Sequence, residues 1–291
     1  MTKSLTVHAP AKLNLFLHVV GRRDDGMHEL QTLFRLVNLY DELTFEVTAE
    51  ALTLTGDMAA DDNLVMRAAR LLRERTGTAG GARIRLAKRI PVEAGLGGGS
   101  SDAAATLLAL NALWQTGLDT AALEALGLEL GADVPLFVRG VNAFGEGVGE
   151  RLTPVQLPPE DYLLVRPDCS VATGAIFSDP SLTRNTPLIT ISRLLRATAV
   201  GQSVDPVPRN DLELIVRRLY PAVDAAVVWA SQYGPAKMTG SGSCVFVPLT
   251  ATIAEALREE AEWLSELPAG WQAYVVQGIG ESPVLGTLNG F

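Results

Sequence analysis

Pro91-Val92-Glu93-Ala94-Gly95-Leu96-Gly97-Gly98-Gly99-Ser100-Ser101-Asp102 runs directly into Ala103–Trp114, an Ala/Leu stretch with almost no polar face. Four glycines in the five places 95–99 remove Cβ atoms and open left-handed backbone. Successive N–H groups can then point into one concavity. Ser100 and Ser101 follow as caps of a helix whose free N–H groups and dipole favour an anion. A phosphate chain is the natural guest, since a plain turn needs only one or two glycines.

Known phosphate loops can be compared with this one. A Walker loop ends in Gly-Lys-Ser/Thr, and here Gly99-Ser100-Ser101 carries no lysine. A dinucleotide fingerprint wants a strand running into its first glycine and a glycine or alanine at the sixth place. Here Pro91–Ala94 intervene and the sixth place is Ser100. A protein-kinase loop lies between two strands, whereas this one opens a helix.

Outward from the loop, residues 4–20 read as extended. Lys12, Asn14, Phe16 and His18 alternate with Leu13, Leu15, Leu17 and Val19. The leucine face reads as core; the other is a solvated face or one wall of a cleft. Residues 21–26 form a turn, and Leu30–Tyr40, Glu42–Thr48 and Ala82–Ile90 read as strands. Helices are expected at 64–75, from the glycine loop to Trp114, at 119–130, 189–199, 210–219, 221–232 and 251–266. Strand-like runs occur at 134–138, 141–145, 150–155, 161–166, 243–249 and 271–277. A proline-rich stretch, 154–160, suggests two domains, 1–155 and 160–291, with a surface loop at 201–208. The uneven alternation of helices and strands favours α+β.

Composition excludes several classes. The 291 residues are 47% hydrophobic and 20% charged, ample for a core and incompatible with disorder. A net charge of -9 argues against a nucleic-acid scaffold. It leaves room for a local phosphate site. Cys169 and Cys244 are too few for a disulfide framework, and His8, His18 and His28 match no metal spacing. With neither a signal-like nor a membrane-spanning segment, the expectation is a cytoplasmic protein with no membrane or nucleic-acid partner.

The segment 91–103 resembles the ATP loop of the GHMP kinases, the galacto-, homoserine, mevalonate and phosphomevalonate kinase superfamily. Pro10–Leu15, Gly21–His28 with Leu30-Gln31-Thr32, Gly131–Pro135, Arg184–Pro187 and Asn210–Glu213 extend the resemblance in order along the chain. So does Thr239–Cys244, similar to the superfamily's second glycine loop. Together they resemble the branch that acts on a methylerythritol carrying a cytidine diphosphate, in non-mevalonate isoprenoid synthesis. The resemblance implies a two-domain α+β fold with the active site in the inter-domain cleft. It implies transfer of the ATP γ-phosphate to the substrate's 2-hydroxyl, with Mg²⁺ as cofactor and its ligands left open.

Residue by residue, the resemblance makes Asp133 the general base and Lys12 its partner. A lysine there also offsets the charge of the transferring phosphoryl group. Without it, Asp133 reads equally well as a turn residue before Pro135. Residues Pro91–Ser101 would wrap the triphosphate, with Asn63 and Leu64 near the adenine, although Asn63 also reads as a helix cap. Thr239, Gly240, Ser241 and Gly242 would lie near the reacting phosphates. Asn14, His28 and Phe177 would recognise the cytidine, and Thr173 the diphosphate or sugar. Met27 stands where the family commonly has tyrosine, which keeps an apolar contact but loses a ring. Another superfamily kinase, a non-catalytic nucleotide-binding protein and a dehydrogenase are the competing readings. Monomer and homodimer are equally compatible with the sequence.

Overall fold

The structure is a computed structural model that describes residues 4–199 and 206–290; of the loop expected at 201–208, residues 201–205 lie outside the described residues. Its frame is an antiparallel pair, β1 (Ser4–Arg22) and β2 (His28–Thr48). β2 is 21 residues long, so Leu30–Tyr40 and Glu42–Thr48 are one strand and not two. One edge of β2 takes β1 from Ser4↔Glu46 to Arg22↔His28. The other edge carries three partners in turn: β4 (Gly81–Ala87) at 42–48, β10 (Gln272–Ile279) at 36–37, and β5 (Ala143–Gly147) at 30–34. β3 (Leu52–Gly56) lies parallel outside β4, and β6 (Arg151–Pro154) antiparallel outside β5. Beyond β10 the sheet continues through β7 (Asp161–Arg166), β9 (Val245–Leu249) and β8 (Lys237–Met238).

Two large cores flank this sheet. One joins α1 (Leu64–Thr76), α2 (Gly98–Trp114), α3 (Thr120–Leu130) and α4 (Val134–Arg139) to Leu36, Phe45 and Ile84 of the sheet. The C-terminal α10 (Pro283–Asn289) returns to the same core through Val284. The other joins α5 (Thr173–Ser178), α7 (Glu213–Leu219), α8 (Pro221–Ala230) and α9 (Ala251–Glu259) to Leu163, Val165, Val245 and Val247. α6 (Ile191–Ala199) belongs to a smaller cluster with Phe16 and Phe144 through Leu194. α2 is buried nearly all round, as its lack of a polar face requires.

Several expectations need correction. Residues 134–138 form the helix α4: Pro135 sits in its first turn and Gly140 closes it in the left-handed region at φ 69. A five-residue apolar run carries no period that separates strand from helix. The strand expected over 82–90 stops at Ala87, because the N–H groups of Arg89 and Ile90 turn to the Asp41 carboxylate. The helix expected over 251–266 ends at Glu259 and continues as a 3-10 turn, Ala261–Glu266. The mixed face of β1 is not solvated: Lys12, Asn14, Phe16 and His18 are all buried. Alternation also breaks at a bulge between Asn14 and Leu17, which brings Leu17 into the same cavity as Lys12 and Asn14.

Candidate active site

The glycine loop crosses from β4 to α2 between β1 and the second glycine loop. The carbonyl of Leu96 accepts the N–H of Lys12 at 2.9 Å, and that of Ala94 accepts the N–H of Cys244 at 3.2 Å. Gly95 and Gly97 adopt φ 75 and 71, the left-handed region. A Cβ at Gly95 would fall 2.5 Å from the Thr239 carbonyl, and one at Gly97 2.9 Å from the Phe137 ring and 3.1 Å from Lys12 Cε. Glycine is therefore needed for close approach as well as for backbone freedom: the first loop packs against the second on one side and against Lys12 on the other.

Lys12 is 4% exposed, and its Nζ is shared between Asn14 Oδ1 at 2.6 Å and Asp133 Oδ2 at 3.4 Å. Asn14 is held in turn by Thr32 Oγ1, to which its Nδ2 donates at 2.8 Å, and its backbone N–H donates to Thr239 Oγ1 at 2.8 Å. Asp133 sits at the N-cap place of α4, yet its side chain makes no cap bond. Its carboxylate therefore faces Lys12 instead of closing its own helix. Lys12, Asn14, Thr32 and Asp133 line a 300 Å³ cavity with Gly95, Gly97, Ser100 and Ser241.

Two further cavities adjoin this one. A 460 Å³ cavity is walled by residues 91–100 together with Asn63 and Leu64. Asn63 caps α1, accepting the Val65 N–H at 2.9 Å, so its capping and lining places coincide. On the other side lies a 480 Å³ cavity with Met27, His28, Phe177 and Arg184. His28 and Phe177 rings stand 5.0 Å apart at 34°. Arg184 Nε donates to His28 Nε2 at 3.1 Å, and its Nη2 ties the carbonyls of Phe177 and Asp179. Burial, then the Arg184 and Arg22 guanidinium groups, hold the His28 imidazole below its usual range. The ring is thus neutral at pH 7, with Nε2 accepting. Phe177 lines both the central and the outer cavity.

The predicted residues thus fall into three adjoining groups. Asn14 stands at the Lys12 end and not beside His28 and Phe177. Thr173 Oγ1 lies 2.8 Å from Ser241 Oγ, joining α5 to the second glycine loop. Sequence reading passed over Arg184 as a side chain, although the segment around it was conspicuous. It also passed over Lys88, one of only four lysines in the chain, which lines the 460 Å³ cavity. That scarcity was the available signal. Among the described residues no group of three or more His, Cys, Asp or Glu could hold a metal, and no helix is long and apolar enough to cross a membrane.

A glycine-rich loop opening a helix, a buried lysine paired with a half-buried aspartate, and three adjoining cavities suit a small-molecule kinase of the GHMP class. Residues 63–141 match the GHMP kinases N terminal domain and residues 188–263 the GHMP kinases C terminal. A 4-diphosphocytidyl-2-C-methyl-D-erythritol kinase of Azoarcus sp. (strain BH72) is 48% identical, covering 97% of this chain and 96% of its own. One of Alkalilimnicola ehrlichii is 50% identical, covering 97% and 94%. A crystal structure of 4-(cytidine 5'-diphospho)-2C-methyl-D-erythritol kinase aligns with TM-score 0.80 at 40% identity, over 95% of this chain and all (100%) of that one. A mevalonate kinase structure aligns with TM-score 0.68 at 14% identity, a likeness of fold alone. The chain belongs to the 4-diphosphocytidyl-2-C-methyl-D-erythritol kinase family within the GHMP kinases, and is an ATP-dependent small-molecule kinase.

Proposed function

We propose that the enzyme phosphorylates the 2-hydroxyl of 4-diphosphocytidyl-2-C-methyl-D-erythritol. The carrying observation is the line of three adjoining cavities with Lys12 and Asp133 in the middle one. ATP lies in the 460 Å³ cavity with its phosphates on the N–H groups of residues 95–101. The cytidine lies in the 480 Å³ cavity, its ring on Phe177 and an edge acceptor on His28. The acceptor hydroxyl meets the γ-phosphate between them. Asp133 takes the hydroxyl proton as the new O–P bond forms and the β–γ bridging bond breaks, leaving ADP. Lys12 and the N-terminus of α2 offset the charge of the transferring group. Asn14 holds Lys12 in place, and Thr239 holds Asn14.

Mg²⁺ fits this donor set. It keeps most of its waters and needs only one or two protein oxygens beside the phosphates. The Ser100 hydroxyl, which lines the same cavity as Asp133, would hold it beside the nucleotide phosphates. When bound it supplies positive charge to the phosphate oxygens. Both cysteines are free thiols, in keeping with a reducing compartment, and we place the enzyme in the cytoplasm.

The test is ATP consumption with the cytidine compound, beside homoserine, mevalonate and galactose. Turnover is expected with the cytidine compound alone, and Asp133→Ala should lose about 10³-fold in kcat, the middle of the range for a general base. Turnover with another alcohol would overturn the substrate assignment. An Asp133→Ala enzyme as fast as its parent would overturn the base.

A further inference from the structure

The glycine loop enters and leaves at one buried point, occupied by three ionisable side chains that the reading above does not use. Asp41 on β2 is fully closed from solvent. Its Oδ1 accepts the N–H groups of Arg89 at 2.6 Å and Ile90 at 2.8 Å, the two residues before the loop opens at Pro91. Its Oδ2 accepts Lys88 Nζ. The same Nζ donates at 2.8 Å to Oδ2 of Asp102, the residue after the loop closes at Ser101. Nζ also rests on the first residue of α2, since a Cβ on Gly98 would fall 3.2 Å from it. Lys88 and Asp102 form part of the wall of the 460 Å³ cavity.

The electrostatics say what this cluster is not. Two carboxylates share one ammonium, so Lys88 has no charge to spare for a phosphate. Burial is the dominant influence on Asp102 and holds its carboxyl up to about 7 despite the lysine. Its Oδ1 has no hydrogen-bond partner. Burying such a cluster is unfavourable compared with apolar packing of the same shape. What it supplies is geometry: a strand, a loop entrance and a helix start tied at one atom.

We propose that Asp41, Lys88 and Asp102 are positioning residues that clip the two ends of loop 91–101 together and so preset its N–H groups for the phosphates of the nucleotide. The proposal rests on assigning that loop to ATP, and the test separates the two.

Steady-state kinetics of the full enzyme would be run on Lys88→Met, Asp102→Leu and Asp102→Asn, with hydrogen exchange of the loop amides. In the first two, the KM for ATP should rise about tenfold, the size of effect a sub-ångström misplacement produces, while the KM for the cytidine substrate stays within about twofold. The amides of 92–101 should exchange faster and those of 104–113 should not change. Asp102→Asn keeps an acceptor for Lys88 and should restore most of the ATP affinity lost in Asp102→Leu. Unchanged loop exchange in Lys88→Met and Asp102→Leu overturns the clip. So does a lower ATP KM in Asp102→Leu, which would mean that a freed Lys88 binds phosphate directly. Faster loop exchange with an unaltered ATP KM keeps the clip and overturns the nucleotide assignment instead. Should Lys88→Met fail to fold, Asp102→Leu against Asp102→Asn carries the comparison alone.

Discussion

Met27 is half exposed, at 51%, and lines the 480 Å³ cavity beside His28 and Phe177. Its carbonyl and N–H are both fixed in the turn, by Arg23 and the Asp25 carboxylate, so the side chain is presented from rigid backbone. A thioether offers a base an apolar, polarisable contact but no ring face. Met27→Tyr should lower the KM for the cytidine substrate roughly threefold or more, the worth of one additional aromatic contact, and leave the KM for ATP unaltered. Equal KM values in the two enzymes would show that position 27 does not meet the base. At this scale the motifs lead to two pairs, Lys12 with Asp133 and His28 with Phe177, which the fold sets on adjoining cavities. Asn14 was less legible. Alternation puts it on the Lys12 face, yet only the fold shows that both its polar ends are taken by Lys12 and Thr32, away from the outer cavity.

Among the elements, the loop that opens α2 is the one that packs directly against Lys12. Gly97 caps α2 in the left-handed region, and a methyl group there would strike the Phe137 ring and Lys12 Cε. Gly77 caps α1 with nearly the same backbone, φ 66, and has nothing within 4 Å of its would-be Cβ. Alanine at either place costs about 1 kcal/mol in backbone strain. Only Gly97→Ala should also displace Lys12, so its kcat should fall about 100-fold while Gly77→Ala stays close to the parent. Matched kcat values in the two variants would mean that Phe137 yields and Lys12 does not move. The glycine loop was readable because backbone freedom leaves a compositional trace. α4 was not, since its five apolar residues are buried on every side and tertiary packing alone decided helix over strand. The short elements α5, β8 and α10 went unread for a related reason: each is fixed by what it docks against and has no period of its own.

At the level of the whole molecule, β1 gives buried residues to both large cores: Leu5, Val7 and Ala9 pack into one, Leu17 and Val19 into the other. Where it passes into the second, the chain from 209 to 211 lies along it, with Leu17 bridged to Asn210. Asp211 there accepts the Val19 N–H and the Thr186 hydroxyl through Oδ2 and pairs with Arg209 through Oδ1. His18 is sealed in this seam at 0% exposure. Its Nε2 accepts the Arg209 N–H at 3.3 Å. Burial, first, and the Arg209 charge push its pKa below 6.5, against the opposing pull of Asp211 and a bond to the backbone of Val207. The unfolded chain therefore binds this proton at higher pH than the folded one, and stability rises with pH through that window. The neutral ring's contribution is complete above 6.5 and is lost as pH falls through the folded value. Protonation would also remove the acceptor that Arg209 uses. The melting temperature should accordingly fall more steeply between pH 7 and pH 5 in the parent than in His18→Gln, which can accept the same N–H without titrating. The difference in slope is bounded at about 1.4 kcal/mol per pH unit for one proton. Parallel melting profiles would place the acid-labile group elsewhere. A steeper parent profile, with kcat unchanged over the range where the fold holds, would assign His18 to the joint between the two cores and not to the reaction.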